Sequence, residues 1–165
     1  MIDNSGQISA EYLLLSGVLI FILLLSTVFI ANEQELATAI SAARSGIDEG
    51  IVSSSSAIYP KQTYNDYSKS NSDLLIPHSV EIVNITYTEL GVDNNYDKKK
   101  IQFKVYAKSS KDFSKKELDS IGDRINYNLR KAIAISFNTT SSTNKLYNPV
   151  FSPHYVYTTA NVKWV

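Results

Sequence analysis

Cysteine is missing from this chain of 165 residues. No disulfide staples it, which suits an oxidising or a reducing compartment alike, and no thiol is present to carry a lipid. Histidine occurs only twice, at His78 and His154. A transition-metal site would need both of them plus carboxylates. They lie far apart in sequence, each beside a proline-bearing stretch, and read as exposed loop residues. Lysine and arginine are absent before Arg44. A secretory signal has a basic n-region, a short apolar core and a small-residue cut site, so that class fits poorly. Phe29-Ile30-Ala31 also puts a bulky residue where a small one belongs. Formal net charge is zero, which argues against a dedicated nucleic-acid binder. Lys98-Lys99-Lys100 reads as a solvated hairpin loop. No glycine-rich phosphate loop, nucleophile elbow or zinc signature occurs. The chain reads as a non-enzyme, with no cofactor implied.

Charge is also missing from Tyr12 to Asn32. About 20 apolar residues at 1.5 Å rise cover a bilayer core of roughly 30 Å, so residues 12–31 read as a membrane-spanning helix. Ser16, Gly17, Ser26 and Thr27 are tolerable there, since small and hydroxyl residues line helix contacts in lipid. Glu11 stands at the mouth of this run. A carboxylate near lipid is costly without a partner or access to headgroups. Cleavage between Gly6 and Gln7 would supply one: a new α-amino group with a pKa near 7.7–8.0. In a bundle of such helices, Glu11 of one subunit can pair with the Gln7 amine of its neighbour. Pairing offsets the desolvation of each charge and sets axial register more than raw stability.

The run Gly6-Gln7-Ile8-Ser9-Ala10-Glu11-Tyr12, followed at once by Leu and Ile, resembles the class III signal peptide of archaeal type IV pilin-like proteins. The resemblance covers about the first thirty residues. It implies that Gly6 precedes the cut, that Gln7 becomes the mature N-terminus and that Glu11 is the fifth mature residue. Glu11 and Tyr12 then belong to the assembly motif. The family usually carries Lys or Arg just before the cut, whereas this chain has Met1-Ile2-Asp3-Asn4-Ser5. The implied partners are further copies of the chain, a prepilin peptidase, an assembly ATPase and a membrane platform protein. The implied location is the membrane for the precursor and a cell-surface filament afterwards, with adhesion as a use of the heads. Two other readings stand beside it: a single-pass membrane-anchored extracellular binding protein, and a minor pilin that initiates or caps the filament.

Helical spacing continues beyond Ala31. Leu36, Ile40, Ile47, Ile51 and Ile58 form a stripe of period near 3.6. Gly46 and Gly50 cost about 1 kcal/mol each relative to Ala and mark a bend or weak point. Pro60 ends the element, which then runs from about Ile8 to Ile58, roughly 75 Å. Residues 61–76 read as a loop. Val80 to Thr88 reads as a strand whose alternation slips once, Gly91 to Lys100 as a polar turn, and Ile101 to Ala107 as a cleanly alternating strand. Together they predict an antiparallel hairpin with a long loop. Ser114 to Phe137 reads as a helix, with capping-box spacing between Ser114 and Glu117. Its apolar face is Leu118, Ile121, Ile125, Leu129, Ala132 and Ile133. Asn138 to Asn144 reads as a polar loop, and Tyr155 to Trp164 as a closing strand carrying Val156, Ala160, Val162 and Trp164 on one face.

The expected fold class is therefore α+β. A leader covers residues 1–6, a long hydrophobic and amphipathic helix 7–59, and a small head 60–165 of β-β-α-β order with an antiparallel sheet, in the lollipop shape of a pilin. Asn84-Ile85-Thr86 and Asn138-Thr139-Thr140 match the glycosylation sequon. Asn138 suits a glycan through its loop position; Asn84 suits one only if it faces solvent. Eleven tyrosines are present. Tyr64, Tyr67, Tyr96 and Tyr147 fall in predicted loops and serve either adhesive contacts or packing of the head.

Overall fold

The computed structural model describes residues 4–52, 80–140 and 149–165. The expected end of the long helix at Pro60, the loop 61–76, His78, Tyr64, Tyr67 and Tyr147 lie outside the described residues. The fold is α+β. Helix α1 runs Asn4–Val52, strand β1 Val80–Asp93 and strand β2 Lys98–Ser109. Helix α2 follows at Lys115–Ser136, then the short strands β3 Val150–Phe151, β4 Tyr155–Thr159 and β5 Lys163–Trp164. Two compact units divide the chain, Met1–Ala37 and Thr38–Val165.

In the first unit α1 buries nothing of its own apolar run. Leu13, Leu19, Leu23 and Ile30 are all more than half exposed.

The second unit takes in the last turns of α1. Ala39, Ala42, Ala43 and Ile47 are buried there, four residues at helical spacing of which three are small. Gly46 and Gly50 fall on the same face and lie against α2. Both glycines sit inside the continuous helix α1, where they let two backbones approach.

Strands β1 and β2 pair antiparallel, as the alternation of Ile101 to Ala107 requires. The slip in β1 is a bulge: register shifts between Ile82 and Asn84, so Val83 is the extra residue and stands exposed. The connection differs from the expected long loop. β1 runs on to Asp93 and β2 begins at Lys98, leaving a four-residue turn. A second register shift between Glu89 and Val92, with Gly91 at φ +80°, keeps the extension in pairing. Asp93 closes the turn by accepting from the amides of Asn95, Tyr96 and Asp97. Lys98-Lys99-Lys100 is thus strand, not loop.

The last third also departs from expectation. Tyr155 to Trp164 is two strands, and both pair parallel to β2 while β3 pairs antiparallel to β4. The sheet is mixed, in the order β1-β2-β4-β3 with β5 beside β2. The parallel direction is set by β3: it is the first strand after α2 and runs antiparallel to β4, so the chain reverses between β3 and β4 and β4 enters parallel to β2. Three residues, Ala160 to Val162, pass two of β2 between the paired blocks. That extra residue inverts the phase. Val156 and Trp164 therefore point to opposite faces, not to the single face expected.

One face of the sheet holds the core. Ile101, Phe103, Val105 and Ala107 of β2 and Tyr157 of β4 meet Ile125, Leu129 and Ile133 of α2, all essentially inaccessible. Phe103 and Phe137 flank Tyr157 at ring separations of 6.1 and 6.2 Å. Helix α2 is held at its start by the expected capping box, in which Glu117 and Ser114 bond reciprocally.

Candidate functional site

Two regions carry features beyond packing. The first is the apolar run of α1. By length and composition, α1 between Ser9 and Ile51 contains a stretch able to cross a membrane, and none of that stretch is buried in the protein. In lipid every polar group must be satisfied internally. The hydroxyls of Ser16, Ser26 and Thr27 achieve this by donating to the carbonyls of Leu13, Ile22 and Leu24 at 2.8–2.9 Å. Gly6 and Gln7 belong to α1; the side chain of Gln7 lies outside the described residues. Glu11 and Tyr12 follow within the helix, both exposed. Glu11 forms no ion pair among the described residues. Its carboxylate stands directly before the uncharged run that begins at Tyr12, with no ion-pair partner among the described residues.

The second region is the head, where the sequons separate by environment. Asn84 sits exposed beside the β1 bulge and accepts from the Ile85 amide through Oδ1 at 2.8 Å. It therefore meets the condition of facing solvent. Asn138 is exposed just after α2, in the left-handed region at φ +54°. The amides of Asn138 and Thr139 donate to Ile135 and Ala134 at 3.0 and 2.8 Å, a Schellman closure in which Asn is among the few residues that fit at low cost. His154 is an exposed loop residue, as expected. Tyr96 lies in the hairpin turn with its ring edge-on to Phe151 at 5.0 Å, so it packs as well as facing solvent.

Charge on the head is partly spent. Lys100 bonds Asp93 at 3.0 Å, and this bond, with the Asn95 amide, holds the Asp93 carboxyl below the usual range. Lys98 donates to the Ser152 carbonyl at 2.6 Å. Burial pulls the Arg130 guanidinium below its ordinary pKa, opposed by the Asp123 carboxylate, and Arg130 donates to the Thr159 hydroxyl.

Sequence reading missed three groupings. Gly46 and Gly50 as contact points gave no signal beyond their spacing of four. Asp119, Asp123 and Asn126 share one face of α2 at helical spacing, a signal that was present. Lys104 and Tyr106 lie two apart on the outward face of β2, and the alternation of Ile101 to Ala107 already places them there. Among the described residues, no group of three or more His, Cys, Asp or Glu side chains is placed to hold a metal ion. No family model, curated protein or solved structure matches the chain.

Proposed function

We propose that the chain is a structural subunit of a type IV pilin-like surface filament, cut between Gly6 and Gln7 and assembled through α1. The observation that carries this reading is a membrane-length apolar helix that none of the described residues buries, headed by Glu11, which forms no ion pair among them. The run exposes fifteen large apolar side chains between Tyr12 and Ile30, which in water would be ruinous. Each fully exposed Leu, Ile or Phe forgoes about 1.5–3 kcal/mol of burial. Lipid covers them in the precursor, and neighbouring copies of α1 cover them in the filament. Glu11 then pairs with the Gln7 amine of an adjacent subunit, which fixes the stagger of the bundle. Prepilin peptidase, an assembly ATPase and a platform protein are the partners this route requires, and the heads form the surface available for adhesion.

The test is the mature N-terminus, read by mass spectrometry on protein from membranes and from sheared surface filaments. A terminus at Gln7, or its cyclised form, with Leu13 to Ile30 retained and the protein in the sheared fraction is the expected result. An intact Met1 in membranes alone overturns the filament reading and leaves a single-pass anchored binding protein.

A further inference from the structure

Strand β5 borders a different feature on each of its two faces. Trp164 pairs with core-facing Ala107 and lines a cleft of about 280 Å³ beside the first turns of α2. Leu118, Val162 and Trp164 supply the apolar wall, and Asp119, Asp123 and Asn126 the polar one. Asp119 and Asp123 are exposed and one helical turn apart. Neither forms a salt bridge among the described residues. Asn126 is only 6% exposed. Its Nδ2 donates to the Ala160 carbonyl at 3.0 Å, while Oδ1 is buried with no partner. An acceptor left so costs about 1–3 kcal/mol. Two carboxylates and an unmet amide oxygen call for a positively charged donor. The volume falls just below the roughly 300–1,000 Å³ of small-molecule sites, which suits a side chain better than a free ligand.

Lys163, the neighbour of Trp164, projects to the other face, because successive strand residues alternate. It pairs with Tyr106, and its Nζ lies 5.8 Å from the centre of that ring. Lys104 places its own Nζ 5.5 Å from the same ring. Neither lysine forms a salt bridge among the described residues. Two ammonium groups sharing one aromatic ring make a cationic patch complementary to an anionic surface.

We propose that the cleft of one copy receives Lys163 of a second copy, joining heads head to tail within the filament. This rests on the filament reading and names the contact between its heads. A lysine ammonium has three donors, enough to bond both exposed carboxylates, Asp119 and Asp123. Trp164 offers its ring to the charge, and the lysine stem covers Leu118 and Val162. Lys104 of the incoming copy adds charge at the rim. Plug and socket lie on opposite faces of one sheet, so the contact is not self-complementary. A heterologous contact of this kind repeats from copy to copy and builds open helical arrays instead of closed dimers.

Carbodiimide coupling of sheared filaments of the full chain tests the contact, since it joins an amine to a carboxylate only when they touch. The expected product is a ladder of covalent multimers whose joined peptides link Lys163 to Asp119 or Asp123. Lys163→Arg should keep filaments but lose those peptides. Lys163→Glu and Asp123→Lys should each cut the ladder at least tenfold, and the two together in one chain should restore it. Filaments whose joined peptides never include Lys163 with α2 carboxylates overturn the contact while leaving the filament reading intact. A ladder that stops at dimers also overturns it. Chains found only as uncut membrane monomers overturn both readings.

Discussion

Gly46 of α1 and Asn128 of α2 meet backbone to backbone. A Cβ added at Gly46 would press on the Asn128 carbonyl and fall 2.7 Å from the Ala132 Cβ. At Gly50 the nearest atoms, the Ile125 Cα and the Asn128 side chain, are 3.3–3.4 Å away, a tight contact that a shift of a few tenths of an ångström relieves. The two glycines look alike in sequence and differ in what surrounds them.

That difference gives a paired prediction. Gly→Ala in a helix gains up to about 1 kcal/mol of propensity, while overpacking costs about 1–3 kcal/mol. At Gly46 the clash is with backbone, which cannot rotate away, so Gly46→Ala should lower stability by about 1–2 kcal/mol. At Gly50 the gain should match or exceed the cost. Thermal denaturation of the full chain in detergent checks both. Gly46→Ala should melt several degrees lower, at about 2–4 °C per kcal/mol for a chain of this size, and Gly50→Ala at or above the parent.

Much of the head was legible because the signals were local. Ser114 and Glu117 specify their helix start by side chain alone, and the cap is where their spacing puts it. The slip of alternation at Val83 was already the bulge. What the sequence did not reveal depends on partners far away in the chain. Nothing in Tyr155 to Trp164 shows that three residues pass two of β2, yet that mismatch decides which side chains enter the core. The parallel pairing depends on β3, two residues long, which reverses the chain between α2 and β4 and carries no strand pattern of its own. The cleft beside Trp164 needs α2 and β5 brought together, and only its α2 half has a sequence pattern.

The cap at the end of α2 makes a second prediction. Asn138 occupies the left-handed region, which costs most residues about 1–2 kcal/mol and costs Gly least. Asn138→Gly should leave stability unchanged or slightly raised, and Asn138→Ala should lower it by about 1 kcal/mol. The glycine variant also removes the sequon without disturbing the fold. Should a glycan occupy Asn138, intact mass will fall by the glycan in Asn138→Gly with no change in melting. An unchanged mass would assign any remaining glycan to Asn84.

Acid should loosen the start of α2. The Glu117 carboxyl is held below its usual value, first by the Ser114 hydroxyl and then by the Ser114 amide. A depressed carboxyl pKa adds stability that is fully present above its unfolded value of about 4.3 and is lost as pH falls through the lower folded value. Asp93 behaves alike through Lys100 and the hairpin turn. Denaturation followed from pH 6 down to about pH 2 should show stability flat above the ordinary carboxylate range and falling below it. Ser114→Ala should lose about 1 kcal/mol at neutral pH and show a shallower acid slope. An unchanged slope in that variant would mean the capping carboxylate is not what titrates.

Glu11 provides the sharpest test of assembly. It is exposed in α1, forms no ion pair among the described residues, and is placed four residues after Gln7. A peptidase that reads the motif around Gly6 has no need of the carboxylate for the cut itself. The filament proposed above would need it, because a Gln7 amine buried in the bundle without Glu11 is an uncompensated charge, and breaking such a pair costs about 3–5 kcal/mol. Glu11→Ala should therefore be processed to Gln7 at the parental level, while surface filaments fall at least about tenfold, equivalent to about 1.4 kcal/mol or more. Glu11→Gln should fall nearly as far, since it keeps the shape and loses the charge. Glu11→Asp should recover part of the yield. Mass spectrometry of the membrane pool measures the cut, and electron microscopy of sheared material measures assembly. Parental filament yield in Glu11→Ala would show that neighbouring helices find their stagger from apolar packing alone.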